Sequence, residues 1–221
     1  MEWLSFALPD GCSPAIEQLC HFYNHSIIIL VMVCSLITAL FVSSIKFNKL
    51  SSRFDTENEI LETVWTILPG VILLFLALPS LVVLYSIEEV LAPSVTLKIT
   101  GHQWYWSYDY SDTAVSLDSF IEKRNSQFRL LEVDNRVPLP WGRPVRLIVS
   151  SEDVIHSWTI PSMGNKIDAV PGRINIRHMF SLKAGTFYGQ CSEICGVNHS
   201  FMPVVVEFTS PLFFKKWVRE I

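Results

Sequence analysis

Two stretches of this chain carry no charged side chain over the length needed to cross a bilayer, and no other feature restricts its fold so sharply. Positions 26–47 read SIIILVMVCSLITALFVSSIKF, uncharged as far as Lys46, and positions 63–87 read TVWTILPGVILLFLALPSLVVLYSI, uncharged throughout. A spanning helix needs about 20 predominantly apolar residues. Pro69 and Pro79 suit a membrane helix, where neighbouring helices re-satisfy the carbonyls that proline frees. Half of the chain is hydrophobic and its mean hydropathy is +0.34, so two buried helices of a large soluble fold is the weaker reading. The expectation is a hairpin of two transmembrane helices over residues 26–87, preceded by a segment 1–25 outside the membrane.

The distribution of cations orients this hairpin. Positions 1–45 contain no Lys or Arg, whereas Lys46, Lys49 and Arg53 lie at or within the connecting loop. Basic residues stay on the inner side, which puts both termini outside. The same gap excludes the basic start of a cleavable secretory signal and an Arg-rich presequence, so the chain is expected to insert uncleaved.

Beyond position 87 the composition changes, and residues 88–221 balance fourteen Lys and Arg against fourteen Asp and Glu. Short runs rich in β-branched residues stand at 94–100, 127–133, 144–150, 154–160, 173–180 and 202–208, separated by Gly, Pro, Asp or Asn. Such spacing predicts an all-β Greek-key sandwich or barrel. The tail PLFFKKWVREI, 211–221, reads as a closing helix with Pro211 at its start. No internal repeat, phosphate loop or nucleic-acid motif is present, and no nucleic-acid partner is expected.

One segment carries chemistry. GQCSEICGVNHSFM, 189–202, spaces Cys191, Cys195, His199 and Met202 so that a single loop offers two thiolates, an imidazole and a thioether. A disulfide across the three-residue gap is the plain alternative in an oxidising space. Zinc would accept the cysteines and histidine but has little use for a thioether; copper with Cys, His and a weak axial Met is the recurrent electron-transfer set. A further histidine is needed from elsewhere, and His156 in the predicted strand VIHSWTI is the best candidate. Two cysteines where one copper needs only one suggest two metal ions bridged by both thiolates, with the Glu193 carbonyl as a second weak ligand. Cys34 reads as a buried hydrophobe, and Cys12 and Cys20, free or paired, are assigned no function.

These elements together resemble a known family. CSEICGVNHSFM, the distant EDVIHSW, the aromatic run GHQWYWSYDY (101–110), LLEVDNR (130–136) and DAVPGR (168–173), behind an N-terminal hairpin, closely resemble subunit II of cytochrome c oxidase, mitochondrial type. The resemblance implies a cupredoxin-like domain with a dinuclear CuA copper centre, bridged by Cys191 and Cys195, terminated by His156 and His199, and weakly bound by Met202 and the Glu193 carbonyl. It implies electron transfer from cytochrome c to haem in subunit I, in an inner-membrane complex with other oxidase subunits and membrane lipid. The chain would sit in the mitochondrial inner membrane with its copper domain in the intermembrane space. Oxygen reduction belongs to that assembly, since His21 and His25 are expected to precede the first helix and the second contains no histidine.

The resemblance also assigns roles around the centre. Trp104 would receive the electron. Asp109, Asp112 and Asp118, in the stretch 104–122 that has no Lys or Arg, would dock the basic cytochrome c, although an ordinary solvated face explains the same carboxylates. The Glu193 side chain would complete a magnesium or manganese site shared with subunit I, a role suited to a hard oxygen donor. Glu62 would stand at the mouth of a proton pathway, with Glu57 and Glu59 indistinguishable from it by charge. A copper chaperone and a quinol-oxidase subunit II without copper are the rival readings; strand anchoring disfavours the first, and the full ligand set the second.

Overall fold

The computed structural model of the chain describes residues 8–47, 57–89, 92–122 and 128–221. Lys49 and Arg53, on which the orientation partly rests, lie outside the described residues. The chain divides into two compact units. One gathers Gln18–Ile87; the other joins Glu88–Ile221 to the N-terminal stretch up to Glu17.

The first unit consists of helices α1 (Pro14–Phe47, continuing from the other unit) and α2 (Glu59–Ile87), both long and apolar enough to cross a membrane. Helix α1 begins twelve residues before the apolar run because a cap precedes it: the Ser13 hydroxyl accepts the Ile16 N–H at 3.3 Å, and Pro14 sets the first turn. His21 and His25 therefore lie within α1 rather than before it, and the His25 ring meets the Phe75 carbonyl at 3.4 Å. Asn58 caps α2 through its side-chain oxygen, which accepts the Leu61 N–H at 3.0 Å. Pro69 and Pro79 lie inside α2.

The second unit is a β-sandwich. Its strands are β1 (Val95–His102), β2 (Tyr105–Tyr110), β3 (Ser116–Ser119), β4 (Val137–Pro140), β5 (Val145–Ser151), β6 (His156–Ile160), β7 (Asn165–Ala169), β8 (Asn175–Met179), β9 (Gly185–Gln190) and β10 (Pro203–Thr209), followed by helix α3 (Pro211–Glu220). Among the described residues they form a five-stranded sheet in the order β3-β2-β1-β5-β8, a three-stranded sheet β4-β10-β9 and the pair β6-β7. Two pairs, β1 with β5 and β4 with β10, are parallel. The sheets pack because their strands alternate. Leu97, Ile99, Trp106, Tyr108, Leu147 and Val149 of one sheet are wholly buried, as are Val204, Val206 and Leu139 of the other.

Three differences from the sequence reading have physical causes. Of the predicted strand 127–133, residues 128–131 form a turn closed by the Leu131 N–H to the Phe128 carbonyl (3.2 Å), with Leu130 at φ 65°; Val133 alone makes an isolated bridge, to Ile121. Gln127 lies outside the described residues. The N-terminal segment joins the sandwich: the Ser13 hydroxyl donates to the Met163 carbonyl at 2.8 Å, Cys12 exchanges backbone bonds with Ser162 and Leu182, and Ile16 is buried. Strand β9 also crosses β6 so closely that a Cβ on Gly189 would collide with the Thr159 carbonyl, which explains the glycine there.

Candidate metal centre

Strands β9 and β10 pair antiparallel with Gln190 opposite Pro203, so residues 191–202 are the loop that closes this hairpin. The Cys191 N–H donates to the Met202 carbonyl at 3.3 Å and pins the two ends of the loop together. A 3-10 turn at His199–Phe201 folds the second half back, and Gly196 at φ 122° permits the reversal. As a result Cys191, Cys195 and Met202 point into the sandwich and are buried, His199 lies at the rim, and the Glu193 side chain is exposed. His156 arrives from the first position of β6, wholly buried.

The donor atoms converge. Cys191 Sγ is 3.9 Å from Cys195 Sγ, 3.9 Å from His156 Nδ1 and 3.3 Å from the Glu193 carbonyl oxygen. Cys195 Sγ is 3.5 Å from both His199 Nδ1 and Met202 Sδ. The thiols are free, so the disulfide alternative does not describe this structure. Two donors bound to one ion at about 2.0–2.3 Å and a tetrahedral angle sit about 3.3–3.8 Å apart, so these separations suit donors of shared metal ions. Among the described residues, His156, Cys191 and Cys195 form a group whose ligand atoms all lie within 4.8 Å of one another. Each thiol has its own imidazole neighbour, and the set of thiols, imidazoles and thioether is soft, which suits copper.

The residues behind the donors hold them in place. His156 Nε2 meets Asp153 Oδ1 at 2.8 Å, which assigns the ring proton to Nε2 and leaves the Nδ1 lone pair facing the thiols. Asp153 also accepts the N–H groups of Gln103 (2.6 Å) and Val154. Burial works against its charge, but hydrogen bonds from His156, Val154 and Gln103 outweigh that cost and hold its carboxyl below the usual carboxylate range. The Trp106 ring stands edge-on to the His156 ring at 5.7 Å and its indole N–H donates to the Met202 carbonyl at 3.4 Å. A Cβ on Gly101 would lie 2.8 Å from the His156 ring, so the imidazole occupies the space that a side chain there would fill. Burial raises the cost of ionising either cysteine. Hydrogen bonds from His156 and from the backbone overcome that cost at Cys191 and lower its pKa, whereas burial and then the Cys191 charge raise Cys195.

The remaining predicted residues fall into distinct places. Trp104 is half-buried beside the loop, its indole N–H donating to the Cys195 carbonyl at 3.2 Å, and the Gln103 amide donates to the same oxygen at 2.8 Å. The three aspartates differ in their surroundings. Asp118 on β3 is in register with Ser107, and its charge, after burial, helps raise the pKa of Tyr105, so it lies at the Trp104 end of the sheet. Asp109 stands four residues beyond Tyr105 on β2, diagonally across the β2-β3 ladder from Asp118, and pairs with Lys98 at 3.6 Å and Ser116 at 2.7 Å. Asp112 accepts the Thr96 N–H at 2.8 Å in the turn beyond. Glu62 sits in the first turn of α2 with Glu59, and Glu57 precedes the helix. The sequence reading missed Asp153, Gln103, Trp106 and Gly101 as supports; only the Asp three residues before His156 carried a local signal. It also missed Glu152, exposed near Tyr105 and 3.4 Å from His102.

Comparison with known proteins places this geometry. The family model for cytochrome c oxidase subunit II, periplasmic domain, matches residues 95–209, and that for its transmembrane domain matches residues 1–83. Cytochrome c oxidase subunit 2 of Drosophila subobscura is 49% identical over 223 residues, covering 99% of this chain and 97% of that protein. The same subunit of Drosophila bifasciata is 49% identical, covering 98% and 96%. Among solved structures, the periplasmic domain of subunit II of cytochrome oxidase from Bradyrhizobium japonicum matches with a TM-score of 0.58 and 43% identity, covering 60% of this chain and 96% of that one. A mixed disulfide between a thioredoxin-like protein and subunit II of cytochrome c oxidase matches at 0.54 and 42%, covering 60% and 93%. With both halves of the chain matched and nearly half of its residues shared with relatives of the same length, the chain belongs to the cytochrome c oxidase subunit II family.

Proposed function

We propose that this chain is the electron-accepting subunit of a mitochondrial-type oxidase and that the 191–202 loop, with His156, holds a dinuclear copper centre. The observation that carries this reading is the pair of buried, unbonded thiols 3.9 Å apart with an imidazole nitrogen beside each. Bound there, two copper ions supply one-electron chemistry with the charge shared between them. Cys191, Cys195, His156 and His199 would hold the ions, with Met202 and the Glu193 carbonyl as weaker donors. The chain's part is to keep these donors fixed: the β9-β10 hairpin sets the loop, Asp153 sets the His156 tautomer, and the buried Trp106 and Met202 exclude water.

Cytochrome c is the proposed donor. Trp104 lies one hydrogen bond from the Cys195 carbonyl, so the residue meeting the partner is already coupled to a ligand. Asp118, near Tyr105 and joined there by Glu152 and Asp153, suits steering of a basic protein. Asp109 and Asp112 are bound to their own neighbours, and their part in docking is correspondingly smaller. The exposed Glu193 carboxylate is proposed to bind magnesium or manganese at a boundary with subunit I, and Glu62 to stand at a proton pathway. The helices are proposed to lie among lipid in the mitochondrial inner membrane, beside the other oxidase subunits, with the copper unit in the intermembrane space.

Copper analysis with electron paramagnetic resonance on the full chain tests the centre. Two coppers per chain with spin shared between both nuclei are expected, and Cys195→Ser should abolish the sharing. One copper per chain, a zinc preference, or spin confined to one nucleus overturns the reading.

A further inference from the structure

Away from the metal centre, a groove of about 290 Å³ runs between helix α3 and the sandwich. Its walls are apolar, from Val95, Pro140, Phe214 and Val218, and its rim carries three cations, Arg143, Lys215 and Arg219, with no carboxylate in the lining. Among the described residues, the ion pairs involve Lys98, His102, Arg136, His156 and Lys216, and none of these three cations. Lys215 and Arg219 lie one turn apart on α3, where like charges repel rather than support the helix. Arg143 faces the same cavity from the turn between β4 and β5. The arrangement therefore leaves apolar surface wet and like charges unrelieved at one place.

We propose that this groove binds an anionic phospholipid, its phosphate among Arg143, Lys215 and Arg219 and the upper part of one acyl chain along Phe214 and Val218. A free phosphate would answer the cations alone, and a neutral lipid the walls alone. The volume is at the low end of small-molecule sites, about 300–1,000 Å³, which suits a headgroup with part of a chain. One further feature favours a lipid. The first turn of α3 exposes Leu212 and Phe213, at 82% and 55%, next to the cations, the pattern of a helix that meets a membrane surface.

The test uses the full chain in phosphatidylcholine vesicles doped with photoreactive phosphatidylglycerol, with crosslinks mapped by peptide mass spectrometry. Crosslinks are expected on residues 211–219 in addition to α1 and α2, whose labelling serves as the internal reference. Replacing Arg143, Lys215 and Arg219 together by Gln should lower the α3 labelling at least about tenfold, since each basic residue near an anionic surface contributes measurably; α1 and α2 labelling should not change. Lys216→Gln, outside the groove, should behave as the parent, and inorganic phosphate should not compete. Equal labelling by photoreactive phosphatidylcholine, unchanged labelling in the triple variant, or displacement by inorganic phosphate would each overturn the proposal. So would an α3 that labels only when other oxidase subunits are absent, because the occupant would then be an acidic protein surface.

Discussion

Asp153→Asn changes one oxygen to an amide nitrogen and tests whether His156, the proposed copper ligand, depends on its carboxylate support. Asp153 Oδ1 faces His156 Nε2 at 2.8 Å and the Val154 N–H, and its other oxygen accepts the Gln103 N–H at 2.6 Å. Asparagine keeps a single acceptor, so its amide group must face either Gln103 or His156, both of which are donors. Losing one hydrogen bond to a charged acceptor costs about 1.5–3 kcal/mol. If the amide turns towards His156, the imidazole must shift its proton to Nδ1, the atom nearest the thiols, and ligation requires that lone pair. Supports of this kind are worth about 10–100-fold in metal affinity. The expected result is a copper affinity lowered by that factor, read by competition with a chelator of known strength. The metal-free protein gives an independent reading. Because the Asp153 carboxyl is held below its unfolded value, its stabilisation is complete above about pH 4, near that value, and is lost as pH falls through the lower folded one. The Asn variant should lack this acid limb. Parent-like copper affinity together with a parent-like acid limb would refute the assignment of Asp153 as the support of His156.

Two further substitutions separate fold from function. Gly189→Ala would drive a methyl group into the Thr159 carbonyl where β9 crosses β6, and should cost more than about 4 kcal/mol or prevent folding; a denaturation midpoint equivalent to less than about 1 kcal/mol of loss would mean that the strands can separate cheaply. Glu193→Gln keeps the backbone carbonyl beside Cys191 but removes the exposed anion, so the copper content of the complex should hold while manganese affinity falls; unchanged manganese binding would return the side chain to an ordinary loop carboxylate.

The parts of the structure that could be read from the sequence are those whose causes are local. Strands β1, β5 and β10 announce themselves through β-branched alternation, and four of the donors through their spacing in one loop. Strand β4, VPLP, was hidden because two prolines argue against a strand; it is tolerated at the edge of its sheet, where backbone donors are spared. Strand β9 was hidden by its glycines, one of which exists only because another strand crosses it. The supports of the centre were illegible for a similar reason. Gln103 and Trp104 reach the Cys195 carbonyl across 92 and 91 residues of chain, and no periodicity encodes such a meeting. Sequence position likewise gave no sign that Asp109 and Asp112 are engaged by Lys98, Ser116 and the Thr96 N–H.

The donors are drawn very unequally from the chain: four side chains fall between positions 191 and 202, while His156 enters from 35 residues earlier. A disordered chain thus already owns most of a chelate, and any metal it captures there narrows the difference in affinity between the unfolded and folded states. Only that difference is returned as thermal stability, because ligand binding to the unfolded ensemble subtracts from the stabilisation that binding to the native state provides. The melting temperature gained on loading should consequently reflect the addition of His156 and the exclusion of water, and fall short of what the total affinity of the centre implies. The same imbalance favours a sequence of events in which the sandwich closes first, since a loop that has already gripped its metal must bring it, desolvated, against a histidine whose proton has already been placed by Asp153.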